Sequence, residues 1–157
     1  MELVEWSDKF ATGIAGIDNE HEELIATINS FYSKQAEHPD KNELIYILNN
    51  IYGSIHSHFM LEERLMVKHG YDEYEQHRDD HARLLDDIRD MTIELDKTSD
   101  FDEQQLKIKL NDWFLVHFKT YDSRLHELER LIANHENVNS GFIGGLKKLK
   151  ARFLSKQ

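Results

Sequence analysis

Residues 58–81 read HFMLEERLMVKHGYDEYEQHRDDH, and this stretch predicts the fold of the chain. It holds two pairs of side chains spaced four residues apart, His58 with Glu62 and His77 with His81. On an α-helix that spacing places both members of a pair on the same face. The stretch therefore predicts two helical faces, each carrying two side chains of the kind that bind metal ions.

A turn separates the two pairs. Gly70 is of the residue type preferred just past a helix end, and Asp72 with Glu75 three residues later forms an N-terminal capping pattern. The stretch therefore predicts helix, tight turn, helix. A bundle core that receives imidazole and carboxylate groups from two neighbouring helices is a candidate metal site.

Length and composition limit the classes of protein. With 157 residues, we expect a single domain with a substantial core. The chain has no cysteine, which excludes disulfides, thiolate zinc sites, iron–sulfur clusters and thiol catalysis. Its N-terminus lacks a secretory pattern and no apolar stretch is long enough to span a membrane, so we predict a cytoplasmic location.

Charge is distributed unevenly along the chain. The net charge of −11 argues against a nucleic-acid partner for the body of the protein. Residues 140–157 contain five basic residues and no acidic one, which leaves 14 basic and 30 acidic residues, or −16, for the remainder. The body is therefore acidic and its C-terminal end is basic.

Apolar residues recur with the helical period in four segments, which predicts an all-α, up-down-up-down four-helix bundle. The first two segments begin at capping candidates, Asp18 and Asp40. The predicted helices span residues 18–37, 41–69, 73–97 and 102–135. We assign residues 1–136 to this bundle with an N-terminal arm, and residues 137–157 to a linker and a basic amphipathic tail.

The tail places Phe142, Leu146, Leu149 and Phe153 at helical spacing with lysines between them, which predicts a short basic amphipathic helix. Three surfaces fit such a helix: the acidic bundle, a protein partner or a membrane surface. Contact with the acidic bundle is favoured over contact with a membrane, because the tail and the bundle have opposite charge.

Side chains able to bind metal also occur on the predicted inward faces of the first and fourth helices. The complete set is His21, His58, Glu62, His77, His81, His117 and Asp122. A single inward histidine is more often a satisfied core residue than a ligand, but two buried carboxylates without counter-charge are very costly. A pair of divalent cations removes that cost, so the set predicts a metal centre. The remaining histidines are assigned to the surface, turns or helix ends: His38, His56, His69, His126 and His135.

The spacing of His117 and Asp122 predicts an irregularity in the fourth helix. Five residues of regular α-helix rotate the second side chain about 140° past a full turn, away from the first. A π-type turn between them would aim both at one centre, and such turns are frequent at functional sites. We therefore predict a departure from regular α geometry between these residues, in the form of a π-type turn. The alternative is a regular helix whose long side chains span the gap.

The order His … His-x-x-x-Glu … His-x-x-x-His … His-x-x-x-x-Asp resembles the hemerythrin family, specifically its single-domain bacterial members. The resemblance covers residues 6–125 and includes the segments WSDKFATGIAGIDNEH, HFMLEERLM and WFLVHFKTYD. Two positions depart from the family pattern. Asp72 stands where a proline often follows the tyrosine of the turn, and Phe118 stands where isoleucine is common.

The resemblance implies two iron ions per chain, bridged by an oxo or hydroxo group and by the carboxylates of Glu62 and Asp122. It assigns three histidines to one iron and two to the other, which leaves one position open for dioxygen as a ligand. These histidines are His77, His81 and His117 for the first iron, and His21 and His58 for the second. Leu24, Phe59 and Trp113 are the candidates for the apolar lining of the oxygen pocket.

The function implied by the resemblance is reversible dioxygen binding, for storage, delivery or scavenging, rather than enzymatic turnover. The sequence has no Glu-x-x-His motif, whereas ferritin-like di-iron proteins use it. Two alternatives stay open: an oxygen or redox sensor that signals to a separate partner, and a di-iron enzyme acting on peroxide or nitric oxide. Loss of a partner on deletion of the tail, at unchanged oxygen affinity, would favour the sensor. Steady turnover with a reductant would favour the enzyme.

Overall fold

The computed structural model describes Ser7, residues 10–35, 40–97 and 103–138, without the side chains of residues 31–35, 103–107 and 111–113. Its helices are α1 (Ala15–Gln35), α2 (Lys41–His69), α3 (Tyr74–Lys97) and α4 (Glu103–Thr120), followed by a 3₁₀ turn (Asp122–Arg124) and a helical segment over residues 126–138. α2 packs against α1 and α3, and α3 packs against α4. The predicted all-α four-helix bundle is confirmed.

The predicted tail helix, over residues 142–155, lies outside the described residues. Within the described part of the chain, none of the helices combines the length and the apolar character needed to cross a membrane.

The first helix begins three residues earlier than predicted, at Ala15. Asp18 therefore lies inside the first turn, and its prediction as the N-cap is wrong. Its carboxylate instead accepts hydrogen bonds from the Thr12 N–H at 2.6 Å, the Thr12 hydroxyl at 2.7 Å and the Gly13 N–H at 3.2 Å. These bonds tie the preceding loop to the helix. The second predicted cap is confirmed, because the Glu43 N–H donates to Asp40 Oδ1 at 2.9 Å.

Gly70 ends α2 as predicted. Its φ of 68° and ψ of 47° lie in the left-handed region, which glycine adopts without steric cost. The Tyr71 N–H donates to the Met66 C=O at 2.9 Å, which closes the last turn of the helix. The chain reverses here and α3 begins at Tyr74, so α2 and α3 lie antiparallel.

The apolar core has two parts with a polar layer between them. The larger part includes Leu24, Leu48, Ile55, Phe59, Leu84, Ile88, Phe114 and Phe118. The buried residues of the smaller part are Ile17, Met66, Tyr71, Leu125 and Leu128. Each predicted metal ligand lies along the chain between members of the two parts, as His21 does between Ile17 and Leu24. The polar side chains therefore lie between the two apolar parts of the core.

The fourth predicted helix is broken after Thr120. Tyr121 has φ −111° and ψ −60°, and in the 3₁₀ turn that follows the Leu125 N–H donates to the Asp122 C=O at 2.9 Å. The departure from α geometry between His117 and Asp122 is confirmed, but the predicted π-type turn and the single helix over 102–135 are wrong. The break and the 3₁₀ turn, which is tighter than an α-helix, also direct the side chains of His117 and Asp122 to one centre. The break turns Asp122 back towards His117, whose Nε2 lies 3.0 Å from Asp122 Oδ1.

Candidate metal centre

The structure brings all seven predicted side chains together in the polar layer, and each is at most 3% exposed. They form two groups, and within each group the potential ligand atoms lie within 4.8 Å of one another. One group consists of Glu62, His77, His81 and His117, and the other consists of His21, His58, Glu62 and Asp122. Glu62 belongs to both groups.

The Glu62 carboxylate spans the two groups with its two oxygens. Oε1 lies 3.3 Å from His58 Nε2 and 3.6 Å from His21 Nε2. Oε2 lies 3.2 Å from His81 Nε2 and 3.6 Å from His77 Nε2. Each oxygen therefore faces a different set of imidazoles, as a carboxylate that bridges two cations does.

Asp122 is placed in the same manner on the other side of the layer. Its Oδ2 lies 3.4 Å from His21 Nε2, while its Oδ1 lies 3.1 Å from His77 Nε2 and 3.0 Å from His117 Nε2. Asp122 thus reaches both groups as well. Its position depends on the break at Tyr121.

Unsatisfied polar atoms mark this layer as a place for cations. Within the described residues, the buried side-chain nitrogens and oxygens that lack a hydrogen-bond partner all belong to six of the seven side chains: His21, Glu62, His77, His81, His117 and Asp122. Leaving a buried polar atom unpaired is costly, so such atoms are rare and call for an explanation. A set of imidazoles and carboxylates facing inward fits divalent transition metals, iron among them.

A second layer of carboxylates holds three of the imidazoles from outside. Glu20 Oε2 lies 3.1 Å from His58 Nδ1, Glu63 Oε1 lies 2.9 Å from His81 Nδ1, and Asp80 Oδ2 lies 2.8 Å from His117 Nδ1. In each pair the Nδ1–H donates to the carboxylate, so Nε2 faces the centre and can offer its lone pair to a metal ion once the ring is neutral. Carboxylates in this position orient metal-binding histidines and raise their basicity.

The sequence reasoning missed these three carboxylates, although the sequence carried a signal. Each is the immediate neighbour of a predicted ligand: Glu20 precedes His21, Glu63 follows Glu62, and Asp80 precedes His81. A residue next to an inward-facing one lies about 100° around the helix, at the edge that meets the adjoining helix.

The metal-free layer carries charges of both signs. Burial disfavours the imidazolium of His58, but the nearby Glu62 and Glu20 carboxylates outweigh it and raise its pKa to about 10. Burial also disfavours the imidazolium of His117, but the Asp122 and Asp80 carboxylates outweigh it and raise the pKa of His117 to about 9. Conversely, burial favours neutral Glu62 and Asp122, yet neighbouring histidines hold the pKa of both carboxyls well below their usual values. Without metal, protonated histidines therefore neutralise the two carboxylates.

These shifts predict how the stability of the metal-free chain depends on pH. The raised pKa values of His58 and His117 stabilise the fold fully below their ordinary value of 6.5, and this stabilisation is lost as pH rises through about 9 and 10. The lowered pKa values of Glu62 and Asp122 stabilise the fold above 4.5 and 3.8, and this is lost as pH falls. Urea unfolding of chelator-treated protein is expected to give its highest unfolding free energy at about pH 5–6.5.

As pH falls from 10 to about 6, the metal-free chain is expected to gain unfolding free energy, whereas the metal-loaded chain is expected to bind its metal more weakly. Metal binding requires neutral imidazoles and therefore competes with protons, so metal should be lost as pH falls. An unfolding free energy of the metal-free chain that stays constant from pH 6 to pH 10 would contradict the predicted exchange of protons for metal.

A small apolar cavity of about 10 Å³ (the space open to the centre of a water-sized sphere) touches both groups of ligands. This is about the room that one water molecule takes. Its lining is Leu24, Ile55, His58, Phe59, Phe114, His117, Phe118 and Asp122. Leu24 and Phe59, two of the three candidates for the pocket lining, both line this cavity, whereas the side chain of Trp113 lies outside the described residues.

The pocket prediction missed Ile55, Phe114 and Phe118. The first two lie three residues before His58 and His117, so helical spacing was the signal that could have found them. The ring of Phe118 packs edge-on against His21, with centroids 4.3 Å apart, and it also contacts Phe114 at 4.4 Å. Phe118, one of the two residues that depart from the pattern of the family the sequence resembles, therefore forms a wall of the cavity.

The other described histidines lie away from this layer. His56 and His126 are exposed, and His69 is the last residue of α2, which agrees with their assignment to the surface or helix ends. His69 is nevertheless buried, and its Nδ1 lies 2.9 Å from Nδ1 of the exposed His135. His38 lies outside the described residues.

Comparisons with known proteins agree with the geometry. Residues 12–135 match the family described as the hemerythrin HHE cation binding domain. The chain is 25% identical to bacteriohemerythrin of Pseudomonas aeruginosa over 118 residues, which are 75% of this chain and 76% of that protein. It is 26% identical to a hemerythrin of Sipunculus nudus, covering 78% of this chain and 91% of that one.

Solved structures show the same fold. A crystal structure of wild-type hemerythrin has a TM-score of 0.70 at 22% identity, covering 77% of this chain and 93% of that one. At this identity the likeness concerns the fold alone. The family match, however, spans most of the sequence and includes all seven of the converging side chains. The chain therefore belongs to the hemerythrin HHE cation-binding family.

Proposed function

We propose that this protein binds dioxygen reversibly at a non-haem di-iron centre, for storage, delivery or scavenging. The observation that carries the proposal is the position of Glu62, whose two oxygens face two different groups of imidazoles within the polar layer. A carboxylate placed in this way joins two cations. The family, whose members bind oxygen at non-haem iron, makes iron the metal of choice.

Each side chain then has a role. One iron would be held by His77, His81 and His117, the other would be held by His21 and His58, and Glu62 and Asp122 would reach both. The second position has one nitrogen fewer, so it is the one left open, as reactive metal sites are. When bound there, an iron pair would supply the two electrons that reversible dioxygen binding needs.

The cavity supports binding rather than turnover. Apart from three of the ligands, its lining consists of Leu24, Ile55, Phe59, Phe114 and Phe118. Such a lining excludes water and offers no proton donor of its own to a bound molecule. Among the described residues, the carboxylates of Glu20, Glu63 and Asp80, which lie outside the ligand set, are hydrogen-bonded to imidazoles of that set. We therefore propose an oxygen-binding protein rather than an enzyme.

Metal content and absorption spectra test this proposal. The purified protein is expected to hold about two irons per chain, to be nearly colourless when reduced, and to gain visible charge-transfer bands in air that fade when oxygen is removed. A chain ending at residue 136 should behave in the same way, because we propose that residues 137–157 form a separate linker and tail. One metal ion per chain, or a reduced di-iron form that does not respond to oxygen, would overturn the proposal.

A further inference from the structure

The three carboxylates of the second layer follow a regular order around the bundle. Glu20 on α1 holds His58 on α2, Glu63 on α2 holds His81 on α3, and Asp80 on α3 holds His117 on α4. The three contacts measure 2.8–3.1 Å, and each joins one helix to the next. Every carboxylate in the series also adjoins another ligand of the centre in sequence.

The remaining two imidazoles are held without such a partner. Nδ1 of His21 and Nδ1 of His77 have no hydrogen-bond partner among the described residues. A charged acceptor is therefore not required to place an imidazole in this layer. The three anions have an effect beyond the orientation of the rings.

That effect is electrostatic. A carboxylate that accepts the Nδ1–H draws the proton towards itself and makes the imidazole a stronger electron donor at Nε2. It also brings a negative charge to within a few ångströms of the metal, in a region where water does not screen it well. Both effects stabilise Fe(III) relative to Fe(II), because the ferric ion carries one more positive charge.

The three carboxylates differ in burial, and therefore in the strength of their electrostatic effect on the metal site. The side chain of Asp80 is 4% exposed, that of Glu63 is 21% exposed and that of Glu20 is 36% exposed, so solvent screens Glu20 most. Asp80 also forms an ion pair with the mostly exposed Arg83, which offsets part of its charge. Arg83 thus acts on the centre through Asp80, in the opposite direction.

We propose that Glu20, Glu63 and Asp80 are positioning residues that also set the redox balance of the iron pair, holding it towards the ferric state. This inference rests on the proposed function and deepens it. Each iron gives up one electron on oxidation, so regeneration of the oxygen-binding ferrous pair consumes two electrons per chain. The protein then depends on an external reductant that supplies two electrons per chain to stay ready for oxygen.

Isosteric substitutions in the iron-loaded full-length chain test the charge separately from the hydrogen bond. Asp80→Asn, Glu63→Gln and Glu20→Gln each keep an oxygen that accepts the Nδ1–H but remove the negative charge. Each variant is equilibrated without oxygen against a two-electron redox dye, one dye molecule exchanging two electrons with the two irons, and the ferrous-to-ferric ratio is measured. The ratio is expected to rise about tenfold for Asp80→Asn and Glu63→Gln, and less for Glu20→Gln, since bonds to charged groups are the stronger ones.

Three further variants sharpen the test. Asp79→Asn and Glu22→Gln remove charge from exposed neighbours in the same helices and should leave the ratio unchanged. Arg83→Gln removes the cation that offsets Asp80, so it is expected to lower the ratio. If the three carboxylates only positioned the rings, Arg83→Gln and Asp80→Asn would not change the ferrous-to-ferric ratio in opposite directions.

The outcomes separate this inference from the proposed function. If wild-type protein binds two irons and responds to oxygen, but the charge-removing variants leave the ferrous-to-ferric ratio unchanged, the redox role is overturned while oxygen binding stands. Loss of iron from a variant at an unaltered ratio in the iron that remains would also show that the carboxylates only position the rings. Failure of the wild type to bind two irons would instead overturn the proposed function itself.

Discussion

Replacing Glu62 by glutamine is expected to abolish binding of the iron pair, with iron content falling from about two per chain to below one. Glu62 is the one residue that belongs to both ligand groups, and each of its oxygens faces a different set of imidazoles. The substitution removes one of two anions that neutralise the cations and replaces one oxygen by an amide nitrogen that cannot bind them.

Iron content after anaerobic loading measures this effect, and circular dichroism of the metal-free variant establishes that the helices still form. Glu22→Gln is the matched control, because it removes an exposed charge from α1 and should retain both irons. Glu63→Gln removes a charge one residue away and should weaken iron binding by about 10–100-fold without abolishing it. A Glu62→Gln protein that retains two irons per chain would contradict the bridging role.

Replacing Leu24 by asparagine is expected to leave both irons bound but to speed conversion of the oxygen-bound form to the inactive ferric form by at least about tenfold. Leu24 is 4% exposed and lines the small cavity beside His58. On its other side it lines a solvent-open groove between α1 and α2, which also reaches His58. Leu24 therefore lies between water and the proposed oxygen site, and a polar side chain there admits water.

The decay of the visible charge-transfer bands in air-saturated buffer gives this rate. Leu24→Met serves as the control, since it conserves the volume and apolar character of the wall and should decay at the rate of the wild type. Burying the amide is also expected to lower the unfolding free energy by about 1–3 kcal/mol, so thermal unfolding must show that the variant is folded at the temperature of the assay. An unchanged rate in a folded, iron-loaded variant would show that Leu24 does not exclude water.

Most residues of the candidate metal centre could be predicted from helical spacing in the sequence. His58 with Glu62, and His77 with His81, are each four residues apart, so the two members of each pair lie on one helical face. Gly70 predicts the reversal that brings α2 and α3 side by side. Local chemistry was sufficient here, because a left-handed glycine and a four-residue period act over one or two turns of helix. The start of α1 was missed because Asp18 bonds backwards to Thr12, a loop contact that mimics a cap in sequence.

Sequence by itself determined the residue types that can meet in the polar layer: five imidazoles and two carboxylates, one or two on each helix, between apolar residues. Tertiary structure alone decided which imidazole each outer carboxylate holds, because Glu20, Glu63 and Asp80 each contact a histidine of the next helix, 18 to 38 residues away. It also decided that Asp122 reaches the centre through a break and a 3₁₀ turn rather than a π-type turn. Several local geometries can turn one side chain by about 140°, and the one observed buries Leu125 and Leu128 in the smaller part of the core.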